Sequence, residues 1–517
     1  MPLYYQSSSS EDANLPCFVV FVGMSKGFLK GAQPKQRLYR SAITALLTSS
    51  SIISQSWFTP IVQAQTTAYC WLNKEAIAQK ETLLIGSLKG NSDSANRYQA
   101  ILRQHAEYLR QCRERTWPNV QAVWLRLYPC DVRNGAIDEI LDRIVNRGYN
   151  QLNVEVFFDG RVLLPSTDNP TVWPSVLQQS GTEKTDLLAQ VIQKGRERGL
   201  RVYAWLFTMN FGYSYTQRAD RQGVLARNGR GSTSLNFVKD GPQVFIDPYN
   251  QQAKTDYYQL VQEVLKRRPD GILFDYIRYP RGSGANSVAD TVEDLWIYGD
   301  AAKQALYDRA LNNKGRELIV RYVSQGGITA SDLEEVNKLY PGEGPPLWQG
   351  RTPSPKDTAG SLQWQLWQLS VAHAAQGVID FLNVAALPAQ QQGIKAGAVF
   401  FPDANQSVGQ GGYDSRLQAW DRFPSFLEWH PMSYGVCGNT SCIEDLVKRV
   451  IERSAVGTDV IPALAGTWGQ SVSNRPSLEV QMQALRLRAP QIKAVSHFAY
   501  SWQDPEFDRD RKFCTNP

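Results

Sequence analysis

The segment GILFDYIRYP, residues 271–280, decides the predicted fold of this chain. Its first half is a continuous apolar run, which is typical of a strand buried on both faces in a parallel sheet. The run ends abruptly in Asp275, and Arg278 and Tyr279 follow it. Polar side chains at the carboxyl end of such a strand are typical of the rim of an α/β barrel, where active sites lie. A carboxylate beside an arginine stays ionised and can act as a nucleophile or base. A structural ion pair that closes the strand is the alternative.

On both sides of this segment, apolar strand candidates alternate with helical stretches. Eight strand candidates are Val120–Tyr128, Gln151–Phe157, Arg201–Phe207, Gly271–Asp275, Ala396–Phe401, Phe426–Ser433, Val460–Ala465 and Ala494–Tyr500. The helical stretches between them are Ala136–Arg147, Thr185–Arg198, Lys254–Arg267, Leu362–Ala386, Ile443–Arg453 and Ser477–Ala489. Eight alternating units predict an α/β fold, a closed (β/α)8 TIM barrel over residues 118–510. A doubly wound open sheet is the alternative, although no strand is followed by a glycine-rich phosphate loop.

Further segments precede and interrupt the predicted barrel. Residues 65–117 are predicted to form a helical N-terminal segment, because apolar residues recur there at helical spacing. Long insertions follow the third and fourth strands, at residues 211–245 and 282–360, and we expect one or two helices in the second. Both insertions leave the carboxyl ends of strands, where loops build binding clefts.

The N-terminal extension, residues 1–64, is typical of an export signal. Basic residues precede a modestly apolar stretch from Ala42 to Val62, and Val62-Gln63-Ala64 offers a cleavage site. Serine, threonine and glutamine interrupt the apolar stretch, so no stable membrane span is expected after signal removal. The sequence therefore predicts an extracytoplasmic location, periplasmic or secreted.

Cysteine usage agrees with export. Six cysteines follow Ala64, and an even count in an exported chain indicates disulfides. Cys437 and Cys442 are close enough in sequence to pair directly. The other four could pair in three ways. The sequence does not choose a pairing for Cys70, Cys112, Cys130 and Cys514. No cysteine or histidine pair stands at the spacing of a structural zinc site.

Composition limits the class of partner. The net charge of +6 is spread along the chain, so no nucleic-acid footprint is predicted. The 14 Trp and 23 Tyr exceed what a core needs, and many fall at predicted strand ends. Aromatic rings in such positions stack on sugar rings, although they also fill large cores. We expect a polysaccharide or glycan-strand substrate and no cofactor.

Carboxylates at strand ends supply the chemistry of glycosidic cleavage. Asp275 and Asp403 form one candidate pair, in which one group protonates the leaving oxygen and the other attacks the anomeric carbon or activates water. Glu155 competes with Asp403 for the acid role, because an inward position on the second strand would bury it and raise its pKa. The separation of the two carboxyl groups decides between retention and inversion.

Further residues near the strand ends are candidates for binding the sugar: Arg126, Asp159, Trp205, Asn210, Arg278, Tyr279, His430, Tyr434, Trp468 and Trp502. A lone barrel histidine is more often a hydrogen-bonded core group than a base. A metal site built from Asp159, Asp275 and His430 is a further alternative, but no metal is predicted. Asp247 is expected to cap a helix or turn.

Several of these segments resemble the bacterial glycosyl-hydrolase-like family 10 proteins. The resemblance covers roughly residues 120–505 and is carried by AVWLRLYP (122–129), NVEVFF and LLPS (153–166), RVYAWLF (201–207), IDPYN (246–250), DGILFDYIRYP (270–280) and HPMSYG (430–435). The most specific part is the Asp-Pro segment followed by the Asp-Gly-x-x-x-Asp-Tyr strand. The resemblance implies a TIM barrel and a polysaccharide or peptidoglycan glycan substrate outside the cytoplasm.

The resemblance also bears on the catalytic residues. It supports Asp275 as the catalytic carboxylate of the fourth strand, and it supports Asp403 less well. Relatives often carry a second acidic residue directly after the Asp of the fourth strand, where this chain has Tyr276. That departure leaves the acid/base assignment open.

The leading hypothesis is an exported glycoside hydrolase in which Asp275 acts as nucleophile or base and Asp403 or Glu155 as acid. The alternative is a non-catalytic carbohydrate-binding cell-wall protein on the same barrel. A third class, an extracytoplasmic deacetylase or esterase, needs a metal triad or a Ser–His dyad that converges in space.

Overall fold

Eight parallel strands close into a barrel in the computed structural model, which describes residues 69–238 and 243–515. They are β1 (Val120–Leu125), β2 (Gln151–Phe158), β3 (Arg201–Phe207), β4 (Gly271–Asp275), β5 (Lys395–Phe400), β6 (Glu428–Pro431), β7 (Ala463–Ala465) and β8 (Ala494–Phe498). Their order is β6-β5-β4-β3-β2-β1-β8-β7. Parallel bridges from Trp429 to Val460 and from Met432 to Ala463 join the two end strands. The predicted (β/α)8 barrel is therefore confirmed, and the open-sheet alternative is wrong.

The two strands beside this junction are shorter than predicted. β6 ends at Pro431 and β7 begins after Pro462. Proline has no backbone N–H to give to a ladder, so it limits regular pairing on both strands. The predicted bounds of β3 and β4 agree with the structure.

Helices surround the barrel and fill the second insertion, and each predicted helical stretch forms. They are α1 (Lys74–Leu88), α2 (Ser92–Arg115), α3 (Ala136–Asn146), α4 (Leu187–Glu197), α5 (Gln251–Leu265), α6 (Asp300–Tyr307), α7 (Asn313–Gln325), α8 (Ala330–Leu339), α9 (Ala359–Gln391), α10 (Ser441–Arg453), α11 (Leu478–Arg488) and α12 (Pro505–Phe513). By length and composition, α9 is apolar enough to cross a membrane, but 61% of its apolar window is buried within the protein. Such burial is typical of a core helix.

Both predicted insertions are present at the mouth side of the barrel. The first is closed at its base by an antiparallel bridge between Asn210 and Phe245. The second holds three helices, α6, α7 and α8, so the expectation of one or two helices is wrong. A short strand, Val288–Ala289, joins the second insertion to two small strands that follow β5.

Three disulfides form among the described residues. Cys437 pairs with Cys442 as predicted, and the open choice is resolved as Cys70–Cys112 and Cys130–Cys514. The first of these two ties the start of the described chain to α2. The second ties the C-terminal helix to the turn after β1. The predicted export signal and its cleavage site lie outside the described residues.

A buried ionic cluster attaches the α1–α2 hairpin to the barrel helices. Arg198, which follows α4, donates to Asp142 of α3 at 2.8 Å and to the Tyr98 hydroxyl of α2 at 2.7 Å. The same hydroxyl donates to Asp142 at 2.7 Å. Lys80 of α1 lies 3.7 Å from Asp142, and burial lowers the pKa of its amine to about 8. The hairpin is therefore held by charge as well as by apolar packing.

Replacement of Arg198 tests this attachment. Arg198→Met removes a cation that faces Asp138 and Asp142, and it leaves Asp142 buried with the more distant Lys80 amine as its remaining cation. We expect the free energy of unfolding in urea to fall by about 3–5 kcal/mol. Arg196→Met is the matched control, because Arg196 is half exposed and pairs at the surface with Asp270, where loss of a pair costs about 1 kcal/mol or less. Similar losses in the two variants would contradict the assignment.

Candidate active site

Inward-facing side chains at the carboxyl ends of β2, β3 and β4 form a polar layer beneath the barrel mouth. Glu155 of β2 is in register with Trp205 of β3, and Phe207 of β3 is in register with Asp275 of β4. Side chains in register on neighbouring parallel strands point to the same side, and alternate residues of one strand share a face. Glu155, Trp205 and Asp275 therefore face the barrel interior together. A shift of register directly after Glu155 ends the regular alternation of β2.

Glu155 is held by a single guanidinium group. Arg126, which directly follows β1, donates through Nε to Oε2 of Glu155 and through Nη2 to Oε1 at 3.0 Å. The ring of Phe158 lies 4.5 Å from the guanidinium carbon and supports it from the other side. The Glu155 side chain is 1% exposed. Burial raises its pKa, and the charge and hydrogen bonds of Arg126 oppose that rise.

Asp275 is the second buried carboxylate of this layer. Trp205 Nε1 donates to its Oδ2 at 3.1 Å, and the backbone N–H of Tyr276 donates to its Oδ1 at 2.6 Å. Burial raises the pKa of Asp275 to about 6; these hydrogen bonds and Arg278 oppose the rise, while the charge of Glu155 adds to it. Tyr276 has a φ of 52°, and such left-handed backbone, which costs a non-glycine residue about 1 kcal/mol, clusters at functional sites.

A cavity of about 150 Å³ lies at the carboxyl ends of β8, β1, β2 and β3, with Glu155 and Trp205 in its wall. The indole rings of Trp124 and Trp205 meet edge to face, with centroids 4.8 Å apart. The opposite wall comes from the segment after β8 and includes Trp502 and Asp508. A cavity of this volume accommodates one six-membered ring. Its aromatic faces and convergent charged groups suit a ring that carries several hydroxyl groups.

The structure brings seven of the predicted site residues together. Four line the cavity: Arg126, Glu155, Trp205 and Trp502. Asp275 is hydrogen-bonded to one of these four, and the charge of Arg278 reaches it. Burial and then the charge of Asp275 raise the pKa of the Tyr434 phenol, so this phenol also lies near the carboxylate. The predicted carboxylate at the end of β4 therefore lies beside a ring-sized cavity.

Three other predicted residues do not line the cavity, because the loops that carry them set their direction. Asp403, three residues beyond β5, is 47% exposed and pairs with Arg416 at 3.2 Å. Asp159 is exposed in the turn that joins β2 to the short antiparallel strand Arg161–Val162. It does not line the cavity, but its charge reaches Glu155 and raises the pKa of that carboxyl. Asn210 Oδ1 accepts hydrogen bonds from the N–H groups of Gly212 and Val244, so this amide holds the base of the first insertion.

The remaining three predicted residues serve packing. The Tyr279 hydroxyl is buried and donates to the carbonyl of Ala374 in α9 at 3.3 Å. His430 is fully buried in the barrel interior, 3.5 Å from Glu428 at the start of β6. Trp468 packs on Tyr69, Trp71 and His497. None of the three lines the cavity.

One acidic residue of the cavity wall was not singled out by the sequence. Asp508 of α12 lines the cavity, and its carboxylate accepts a hydrogen bond from the Tyr128 hydroxyl at 2.9 Å. The cysteine content is the one sequence signal that could have located it. Pairing of Cys130 with Cys514 brings the end of the chain to the turn after β1. The sequence alone left that pairing open.

The alternative metal site is not formed by the described residues. Asp159 is exposed at a turn, whereas His430 is buried beside Glu428. Among residues 69–238 and 243–515, no three His, Cys, Asp or Glu side chains come together as a metal-binding group.

Comparison with known families confirms the expected resemblance over part of the chain. The model of the family Glycosyl hydrolase-like 10 matches residues 118–325, which include β1 to β4 and most of the second insertion. No curated protein sequence matches the chain. The family match therefore contains Glu155 and Asp275 and ends before Asp403 and Asp508.

The chain is also compared with solved structures, all of which are distant from it in sequence. The glycoside hydrolase domain of PgaB (BpsB) from Bordetella bronchiseptica is 14% identical, with a TM-score of 0.43 over 76% of this chain and 98% of that chain. A β-galactosidase from the psychrophilic Marinomonas ef1 is 10% identical, with a TM-score of 0.42 over 74% and 54%. The tandem GH20 modules of the pneumococcal exo-β-D-N-acetylglucosaminidase StrH are 10% identical, with a TM-score of 0.37 over 76% and 83%.

Replacement of Arg126 tests the electrostatics of the layer. Arg126→Met leaves the Glu155 carboxylate buried without its cation, so its pKa in the folded protein rises further above the unfolded value. A folded-state pKa above the unfolded value means that stability is lost as the pH rises. We expect the variant to lose about 3 kcal/mol or more of unfolding free energy near pH 8 and far less near pH 4. Urea unfolding at both pH values measures the difference.

Arg161→Met is the control for this variant, because Arg161 is an exposed arginine on the short strand beside β2. It should show little change at either pH. A loss in Arg126→Met that is the same at both pH values would contradict the role of Glu155.

Proposed function

We propose that this protein is an exported glycoside hydrolase that acts on a polysaccharide or peptidoglycan glycan. The observation that carries the proposal is a pair of buried carboxylates at the carboxyl face of the barrel. Glu155 lines a ring-sized cavity, and Asp275 accepts a hydrogen bond from Trp205 in the wall of that cavity. Paired carboxylates on either side of a glycosidic bond are the machinery of most glycoside hydrolases. The family match over residues 118–325 supports the same class of reaction.

The environments of the two carboxylates favour different roles. Asp275 has a pKa raised to about 6 by burial, so near neutral pH it can hold and release a proton, as a general acid must. Glu155 is bound through both oxygens by Arg126, which favours its charged form. The sequence predicted Asp275 as nucleophile or base, and these contacts instead favour Asp275 as the acid and Glu155 as the nucleophile or base.

In the proposed reaction, Asp275 gives its proton to the glycosidic oxygen as the bond from this oxygen to the anomeric carbon breaks. Glu155 either attacks the anomeric carbon, or takes a proton from the water that attacks it. In the first route a glycosyl ester of Glu155 forms, and water then cleaves it while Asp275 takes the proton of that water. The leaving chain departs as an alcohol, and the elements of water are added across the bond. The indole of Trp205, in contact with both the cavity and Asp275, positions the acid.

Export is part of the proposal. The three disulfides are typical of a protein that folds in an oxidising compartment outside the cytoplasm. They agree with the signal that the sequence predicts in residues 1–64. Glycans of the cell wall and secreted polysaccharides are the substrates available there.

The rival classes receive less support from the geometry. A non-catalytic sugar-binding protein has no need of two buried carboxylates at one cavity, Glu155 in its wall and Asp275 bonded to Trp205 of that wall. An esterase needs a Ser–His dyad, but the Ser433 hydroxyl is directed to the carbonyl of Pro431. We therefore retain hydrolysis of a glycosidic bond as the leading function.

Three amide substitutions test the choice of carboxylates. We expect Asp275→Asn and Glu155→Gln each to lower turnover by about 10²–10⁴-fold, because each removes an acid or base group from the reaction. Asp403→Asn should have little effect, because Asp403 is half exposed and pairs with Arg416. The measurement is release of reducing ends from peptidoglycan glycan strands, chitin, cellulose, xylan and starch. Full activity of Asp275→Asn, with wild-type unfolding behaviour, would remove Asp275 from the mechanism.

The pH profile of Trp205→Phe tests the assigned roles. Loss of the indole N–H removes a hydrogen bond to the ionised form of Asp275, so the pKa of Asp275 rises. A hydrogen bond to a charged group contributes about 1.5 kcal/mol, which corresponds to a rise of about one pH unit. If Asp275 is the acid, the alkaline limb of the profile moves upward by this amount.

The matched control is Trp124→Phe, which removes an indole N–H that donates to Ser496 instead of Asp275. This control should leave both limbs in place. Movement of the acidic limb in Trp205→Phe would instead make Asp275 the nucleophile or base.

A further inference from the structure

The segment after β8 forms one wall of the cavity, and three kinds of contact hold it there. Arg511 of α12 binds both oxygens of Asp131, at 2.7 and 3.0 Å. It also donates to the backbone carbonyl of Arg126 at 2.9 Å. The disulfide between Cys130 and Cys514 closes the same junction. α12 is therefore fixed to the turn after β1, directly beside the Arg126–Glu155 pair.

Asp508 is the acidic side chain that this wall presents to the cavity. Its Oδ2 accepts a hydrogen bond from Tyr128 at 2.9 Å, and its Oδ1 accepts one from Arg511 at 3.0 Å. An ionised carboxylate can accept about four hydrogen bonds, so about two acceptor positions remain. The side chain is 9% exposed, and the residue lines the cavity. The free acceptor positions are therefore available to a ligand in this cavity.

The shape of the wall limits what can enter. The described cavity residues come from β1, β2, β3, β8 and the segment after β8. A glycan that continued beyond this end of the cavity would have to displace α12, which is held by a disulfide and by buried ion pairs. The volume of about 150 Å³ is that of a single ring.

We propose that the cavity is a subsite for the terminal sugar of a glycan, closed by the segment Phe498–Lys512, and that Asp508 binds neighbouring hydroxyl groups of that sugar. This proposal rests on the proposed function and specifies its substrate as a chain end. The expected products are single sugars released from one end of the chain. The aromatic face of Trp502 covers the apolar side of the same ring.

A carboxylate gives this subsite its selectivity. Each hydroxyl group that donates to Asp508 replaces a water molecule that the buried group needs. A ring that lacks the hydroxyl leaves the acceptor unpaired, and sites built on such pairs discriminate strongly against ligands that lack the group. Asp508 is thus a specificity-determining residue of the subsite.

Binding of single sugars tests the subsite apart from catalysis. The probes are glucose, galactose, N-acetylglucosamine and N-acetylmuramic acid, titrated into the full chain and followed by tryptophan fluorescence and calorimetry. We expect at least one of them to bind the wild type and to bind Asp508→Asn about tenfold or more weakly. Asp510→Asn is the matched control, because Asp510 lies two residues away on α12 and bonds Thr515 at the protein surface.

Trp502→Ala separates loss of sugar binding from loss of stability. Trp502 lines the cavity, but it does not take part in the hydrogen bonds between Asp131 and Arg511. It should weaken binding of the same sugar while the unfolding free energy stays close to that of the wild type. Absence of binding by every probe, or equal binding by wild type and Asp508→Asn, would overturn the subsite.

The product pattern tests the chain-end claim. Pentasaccharides of the glycan that is cleaved should yield single sugars and tetrasaccharides as first products. A mixture of disaccharides and trisaccharides as first products would overturn closure by the C-terminal segment. If no glycan is cleaved but sugar binding depends on Asp508, the proposed function fails and the subsite stands. If glycans are cleaved internally, the function stands and the chain-end claim fails.

Discussion

The ion pair between Arg126 and Glu155 is the contact on which the candidate site depends. The guanidinium of Arg126 fixes the carboxylate of Glu155 at the base of the cavity, while the backbone carbonyl of Arg126 accepts a hydrogen bond from Arg511. Arg511 in turn binds Asp131 and Asp508. The base of the cavity and its C-terminal wall therefore belong to one network of buried charges. Removal of one partner leaves the others buried without compensation, which is costly in a poorly solvated environment.

The barrel itself could be predicted because its signals are local. Apolar runs of strand length, helical stretches between them and polar residues at the strand ends need no knowledge of distant contacts. The polar end of GILFDYIRYP placed Asp275 at the mouth for the same reason. The sequence did not choose between Glu155 and Asp403 as the partner of Asp275. Alternation along β2 predicts the inward position of Glu155, and its register with Trp205 agrees with that position. Asp403 lies beyond the end of β5, where alternation no longer applies and the loop sets its direction.

The same distinction separates the remaining predicted residues. Trp205 lies within a strand, so alternation gives its direction correctly. Tyr279 and Trp468 lie beyond strand ends, and both turn to pack against other elements. Asp508 could not be found by periodicity at all, because the Asp131–Arg511 contact that places it joins residues 380 positions apart. In the sequence, only a disulfide between Cys130 and Cys514 would indicate a contact over such a separation. Four cysteines allow other pairings, so the sequence did not select this one.

Of the two buried carboxylates, only Glu155 is bound by Arg126, so the two respond differently when a sugar fills the cavity. Asp275 has a pKa of about 6, so near neutral pH it carries its proton only part of the time. A sugar ring that fills the cavity expels water and further disfavours the charged form of the acid, which raises this pKa. The charge of Glu155 acts in the same direction, while Arg126 continues to stabilise the ionised form of Glu155 itself. Substrate binding therefore moves Asp275 towards the protonated state that bond cleavage requires. At Glu155 the guanidinium of Arg126, which binds only this carboxylate directly, opposes the same rise in pKa.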